Sequence, residues 1–315
     1  MKKNLRHYYL NSNLGYYIMY PIFRMHELFL RLIPDKAYIQ YKFKKILGYN
    51  LDLKKPKTFN EKISFLKLYD RSALQTITAD KFLVRDYIKE KIGAEYLIPL
   101  VLHTKNVKEI IPENLPDYPI IIKTNHNSSG GVIVKNKNET NWKAVRSKLK
   151  KLLRENYFYF SREWQYKNIE PRVIVEKLLT DDKGNIPPDY KLHCFNGKLI
   201  FTQVDLDRYE DHRRNLYNVD WEKIPCRWKY KNGNEVSKPF EYEKMKNLAE
   251  KIAADFIYLR VDFYSIGNSI FFGELTLHPG SGALIFYPPS FDKKFGEMLD
   301  IENIFKKVNS YVRKS

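Results

Sequence analysis

From Leu14 to Leu32 apolar side chains recur every three or four residues, at Leu14, Tyr17, Ile18, Ile22, Met25, Phe29 and Leu32. That is the spacing of a helix with one apolar face, and Pro21 within it predicts a kink or break. Two environments suit such a stripe: the body of the protein or, helped by Lys2, Lys3 and Arg6, the interface of an anionic membrane. Thr58 followed by Glu61 makes a capping box ahead of Ile63, Phe65, Leu66 and Leu68, which predicts a helix there. A second helix is predicted from Asp80 through Phe82, Leu83, Tyr87 and Ile88 to Gly93, with a loop around Asp70 and Arg71 between the two.

From Pro119 the period shortens. Ile120 to Thr124, Val132 to Lys135 and Val173 to Leu178 read as strands, with a helix from about Asn141 to Arg154. Beyond a loop carrying Asp181, Asp182, Gly184, Pro187 and Pro188, a hairpin is predicted from Lys191 to Phe195 and Leu199 to Val204, turned by Asn196-Gly197. A helix near Tyr242 to Asp255, strands near Tyr258 to Tyr264 and Ile270 to Leu277, and helices from about Phe291 complete the pattern. The fold class is α+β. Four stretches emerge: 1–50, 51–118, 119–180 and 181–315.

The 315 residues are 43% hydrophobic and 29% charged, with 13 Gly and 15 Pro, a globular composition that excludes disordered and collagen-like chains. The formal charge of +18 favours polyanionic surroundings: nucleic acid, nucleotide phosphates, an anionic membrane face or acidic glycans. No helix-turn-helix, RNA-recognition or zinc-finger signature accompanies it, so no nucleic-acid partner is expected. Cys194 and Cys226 form no CxxC pair, which predicts a reduced, cytoplasmic protein without structural zinc. Arg24, His26, Glu27 and Arg31 interrupt the first apolar stretch, arguing against a spanning helix or a secretory signal.

Candidate chemistry concentrates in the last hairpin. Alternation sends Arg260 and Asp262 to one face of their strand, and Glu274 and Thr276 to one face of theirs. A three-residue loop, Gly267-Asn268-Ser269, sets Asp262 against Glu274, whereas a two-residue turn puts Asp262 opposite Gly273 and the carboxylates on opposite faces. Converging acids call for a cation, and magnesium takes one or two carboxylates with phosphate oxygens. Lys123 to Gly131 is a strand end running into a small loop whose amides suit a phosphate, although a plain hairpin loop reads the same way. Val173 to Leu179 is an apolar strand whose edge suits an adenine, although a simple strand end reads the same way. Arg208, His212, Arg213 and Arg214 suit an acceptor carboxylate or glycan acid, or form a solvated charged loop. His126 and His193 are candidates for assisting or are structural.

Taken together, Lys123 with its loop, Glu176-Lys177-Leu178, Asp189-Tyr190-Lys191, Arg260-Val261-Asp262 and Glu274-Leu275-Thr276 with Pro279-Gly280 resemble the ATP-grasp superfamily. Thr58 to Lys62, Leu68 to Arg71, Ala79-Asp80-Lys81, Arg162 to Tyr166 and Cys194 to Lys198 look like the TupA-like ATP-grasp proteins of bacterial surface-polysaccharide and teichuronopeptide loci. The resemblance covers roughly residues 50 to 300.

It implies ATP held between two α+β subdomains, a lid at 119–180 and a catalytic unit at 181–315, behind an N-terminal helical extension. Lys123 and Lys191 would contact phosphates. The loop with Ser128, Ser129, Gly130 and Gly131 would close over them, and Glu176, Lys177 and Leu178 would face ribose and adenine. Asp262 and Glu274 would bind Mg2+. Thr276 stands where the superfamily commonly has Asn, a weaker third ligand. Arg260 with the lysines would stabilise phosphoryl transfer. The expected activity joins a carboxylate, such as that of an acidic sugar, to an amine or amino acid through an acyl phosphate in surface-glycan construction, in the cytoplasm or at the inner face of the cell membrane. Alternatives are a glycosyltransferase or sugar kinase of the same pathway, or a basic protein that binds nucleic acid or membrane without catalysis.

Overall fold

The computed structural model describes residues 3–128, 131–206 and 211–312. Two helices, α1 (Lys3–Asn11) and α2 (Asn13–Leu32), meet at Ser12, whose hydroxyl caps α2 by accepting from the Gly15 amide at 3.1 Å. Helix α2 runs through Pro21 without the expected break. Its buried face is Tyr16 and Leu30, with Glu27 between them, whereas the stripe read from the sequence points outward at every position. The body therefore takes the other face.

Helix α3 (Asp35–Leu47) stops at Gly48 in the left-handed region, φ +81°. The capping box forms as predicted. Thr58 Oγ1 accepts from the Glu61 amide at 3.2 Å, and Glu61 Oε2 accepts from the Thr58 amide at 2.9 Å, starting α4 (Phe59–Tyr69). A short helix, α5 (Ala73–Ala79), fills part of the predicted loop before α6 (Val84–Lys91).

Next come β1 (Leu100–Thr104), β2 (Ile120–Thr124), β3 (Val132–Val134), α7 (Trp142–Leu153), α8 (Phe158–Ser161) and β4 (Val173–Lys177). The strands form an antiparallel sheet in the order β1-β4-β2-β3. Ile120 and Ile122 with Val173 and Val175 pack on Val145 and Leu149 of α7. Alternation leaves Ile121, Lys123 and Glu176 on the opposite face.

The second sheet contains β5 (Asp189–Phe195), β6 (Lys198–Leu206), β7 (Arg213–Tyr217), β9 (Tyr258–Ile266) and β10 (Ser269–Thr276), all antiparallel in the order β10-β9-β5-β6-β7. A ribbon of β8 (Arg227–Trp228) and β11 (Phe286–Tyr287), then α9 (Tyr242–Ala253), α10 (Ser290–Met298) and α11 (Glu302–Val312), complete the chain. Leu192, Cys194, Val261 and Phe263 pack on Met245, Ala249 and Ile252 of α9. The other face is apolar at one end, where Phe195, Phe201 and Tyr258 meet Phe59 of α4 and Trp228. Its remaining part carries charge.

Candidate active site

Register assembles the charged face. Lys191 stands opposite Asp262 and His193 opposite Arg260 across β5 and β9, while Asp205 stands opposite Arg214 across β6 and β7. On the far side Glu274 pairs with Asp262 and Thr276 with Arg260. The turn here is the two-residue one: Ser269 pairs with Ile266. Pairing would then slip by one, but the ladder shifts between Phe272 and Glu274, so Gly273 is a bulge that returns the two acids to one face. The bulge favours glycine there, because a Cβ would sit 3.1 Å from both the Asp262 carbonyl oxygen and the Tyr264 ring, so that a neighbour would have to give way.

Arg260 holds the acids together. Its Nε and Nη2 donate to Asp262 at 2.6 and 2.7 Å, and Nη2 also donates to Glu274 Oε1 at 2.8 Å. Lys191 Nζ lies 3.2 Å from Asp262 Oδ2 and also donates to Asp189. Burial works against charge on Glu274, yet Arg260, Lys81 and Lys191 together hold its carboxyl below the usual range. Among the described residues no three acids, histidines or cysteines form a metal-binding group. Two hard oxygen donors beside space for phosphate oxygens nevertheless suit magnesium, which does not require an all-protein cage.

Across the cleft Lys123 Nζ donates to Glu176 at 2.8 Å, and Arg85 Nη1 donates to the same carboxylate at 3.0 Å. Both Glu176 oxygens are thus engaged with cations. The amides of Lys177 and Leu178 donate to the carbonyls of Pro99 and Pro119 at 3.0 and 2.9 Å.

A cavity of about 400 Å³ lies between the sheets, walled by Ile98, Ile121, Ile133, Leu179 and Leu206, with Lys123, Lys177 and Leu178 also on its lining. A cavity of about 770 Å³ is bordered by Ser128, Arg260, Glu274 and Thr276, and by Arg227, Lys229 and Lys231. Between them runs a narrow gap that Lys123 shares with the first and Glu274 with the second.

Two groups at this junction were not singled out from the sequence. Lys81 is fixed by Asp80, which accepts from Asn125 Nδ2 at 2.9 Å and from the Phe82 amide at 2.8 Å; the Lys81 amide and Nζ donate to the carbonyls of Asn125 and Asn127 at 3.2 and 2.5 Å. It lines the gap. Glu163 is buried yet lines the larger cavity. Burial raises its carboxyl pKa and lowers that of neighbouring Lys67, which donates to the Ser281 carbonyl at 2.6 Å. Both sit in segments that carry the family resemblance, Ala79 to Lys81 and Arg162 to Tyr166, which assigned neither residue a role.

The arginine cluster is arranged differently from the expectation. Arg214 Nε and Nη2 donate to the buried Asp205 at 2.6 and 3.2 Å, His212 Nε2 lies 3.2 Å from the same carboxylate, and Arg213 pairs with Asp211 at the surface. None of the three lines the larger cavity. Arg208, Ser129 and Gly130 lie outside the described residues; Gly131 is exposed. His126 and His193 are buried, the first with its pKa lowered by burial to about 4, the second held well below the usual imidazole range by burial and by Arg260 and Arg214. His193 Nδ1 meets the Tyr258 hydroxyl at 2.7 Å.

The TupA-like ATP-grasp family model matches residues 61–300, about three quarters of the chain. The chain belongs to that family.

This TupA-like chain thus has the ATP-grasp fold, with helices α1 to α3 outside the matched residues. Among solved structures it is similar to D-alanine–D-alanine ligase from Bacillus anthracis, at 18% identity over 76% of this chain and 69% of that one, TM-score 0.41. The same ligase complexed with ATP gives 15%, 75%, 68% and 0.44. The ATP-grasp ligase PsnB, complexed with a phosphomimetic minimal precursor, Mg and ADP, gives 12%, 66%, 52% and 0.40, so this chain spans about half its length. No curated protein matches. The family assignment rests on the matched residues rather than on these distant likenesses.

Proposed function

We propose that this ATP-grasp enzyme is a carboxylate–amine ligase that acts on an acidic sugar or glycan during construction of a bacterial surface polysaccharide. The observation that supports this most is the pair of cavities joined by a cation-lined gap. Adenine would occupy the slot between the sheets, against Ile98, Ile121 and Leu206, with Lys177 and Asp189 on the same lining. The triphosphate would then pass Lys123 and Lys81 towards Lys191 and Arg260, and an anionic acceptor would meet Arg227, Lys229 and Lys231. Tyr157, Tyr166, Tyr230 and Tyr287, on the same lining, offer faces for a sugar ring.

An acceptor carboxylate oxygen attacks the γ-phosphorus, the bond to the β–γ bridging oxygen breaks, and ADP leaves. An amine nitrogen then attacks the acyl carbon, the phosphate departs, and the amine loses a proton. The products are an amide, ADP and phosphate. Lysines and Arg260 orient the phosphates and offset the charge of a loose transition state. Asp262 and Glu274 would hold magnesium, with Thr276 beside them; when bound, it would neutralise phosphate oxygens.

Release of ADP is expected only when a uronic acid and an amine are both supplied. Turnover with a hydroxyl acceptor and no amine would identify a kinase instead.

Glu163 is the group we assign to accept the amine proton. A base must be ionised to act, and burial raises this carboxyl, so kcat/KM should climb with pH along a limb lying above the ordinary carboxylate range. Glu163→Gln should lower kcat by about 10²–10⁴-fold and erase that limb. A limb that survives the substitution rules the assignment out.

A further inference from the structure

We propose that α2 is a membrane-docking helix that lays its outward face on an anionic phospholipid bilayer. Tyr17, Ile18, Ile22, Met25, Phe29 and Leu32 are between 53% and 81% exposed, far more than a packed helix face allows. At 100° per residue, with Leu14 and Leu28, they cover roughly 140° of the helix, a continuous band rather than scattered positions. The band is about 27 Å long at 1.5 Å per residue. Tyr16 and Leu30 on the opposite side anchor the helix to the body, so the band is presented on a fixed support.

Charge selects the occupant. Residues 1–58 carry twelve Lys and Arg against three Asp and Glu, half of the chain's +18 in under a fifth of its length. In residues 1–34 the sole carboxylate is Glu27, and it is buried, held by Arg24 at 2.9 Å and Arg31 at 2.7 Å. The band therefore shows no exposed acid, while Lys36, Lys44 and Lys45 of α3 stand exposed in the same basic segment. An apolar stripe with basic surroundings suits lipid headgroups with acyl chains beneath them. A second copy of this chain would have to bring its own positive segment against this one. No described helix is long and apolar enough to cross a membrane, so contact would be interfacial.

The test uses the full chain and vesicles of phosphatidylcholine with and without a quarter phosphatidylglycerol, read by co-sedimentation. Binding to the anionic vesicles is expected, at least about tenfold weaker on pure phosphatidylcholine and in the double variant Ile22→Glu/Met25→Glu. Both sites are exposed, so the melting temperature of that variant should be unchanged. Tyr17→Trp gives a second reading that leaves the band apolar: its added emission should shift to the blue with vesicles and be quenched by brominated lipid. Absence of binding overturns the proposal. So does binding that the double variant leaves intact, which would be charge attraction alone. A concentration-dependent dimer that the double variant abolishes, with vesicles ignored, would give the face to a second copy and overturn it equally.

Discussion

Asp262→Asn is expected to lower ATP-dependent turnover by about 10²–10³-fold or more while the protein stays folded. The substitution keeps shape and removes one negative charge from the centre of the site. Asp262 accepts both hydrogen bonds from Arg260 and lies 3.2 Å from Lys191 Nζ. With Asn there, two cations face one another across a neutral amide, and half of the carboxylate pair suited to magnesium is gone. Two measurements separate the causes. ADP release reports turnover, and the rise in melting temperature with ATP and magnesium reports binding, since a ligand stabilises only the state it binds. Both should be lost in the variant. Turnover within tenfold of the parent would remove Asp262 from the mechanism.

Arg214→Ala is expected to lower stability by about 3–5 kcal/mol at pH 7. Asp205 is buried, and burial alone would raise its pKa; the two-pronged contact from Arg214 overrides that and holds it well below the ordinary carboxylate value. Truncating the arginine leaves a charge with neither water nor its main partner. The pH dependence has a definite sign. A depressed carboxyl contributes stability that is fully present above its unfolded pKa of about 4 and is lost as pH falls towards the folded value. The gap between parent and variant should therefore narrow in acid, as urea denaturation at pH 7 and pH 3 would reveal. Asp205→Leu/Arg214→Met, which removes both charges, should recover most of the loss. If Arg214→Ala costs under 1 kcal/mol, the pair is not the buried clasp described here.

Local signals carried the sequence reading a long way. The capping box at Thr58 and Glu61, the Asn196-Gly197 turn and the alternation around Asp262 each involve neighbours within a few residues, and each reappears in the structure. Readings that depended on distant partners fared differently. The stripe on α2 was legible as amphipathic, but which side meets the body depends on α8 and α1, and the less regular side won. Arg213 and Arg214 read equally well as a loop; they form β7 because β6 supplies their ladder. Arg214 then turns inward to Asp205, a pairing across strands that spacing could not announce. Lys81 and Glu163 lie in segments the resemblance already quoted, but their place on the cavity linings depends on contacts that only the folded chain supplies.

The correction made at Gly273 is one of parity. Between Asp262 and Glu274 the hairpin has a tight turn that, left alone, would seat the acids on opposite sides of the sheet. One surplus residue flips everything after it, so the side bearing the acid pair is decided by whether the count is odd or even. A chain one residue shorter at this point would swing Leu275 and Leu277 into the cleft and Glu274 into the oily interior, with every residue type preserved. Evolution can therefore vary this hairpin by pairs of residues far more freely than by one.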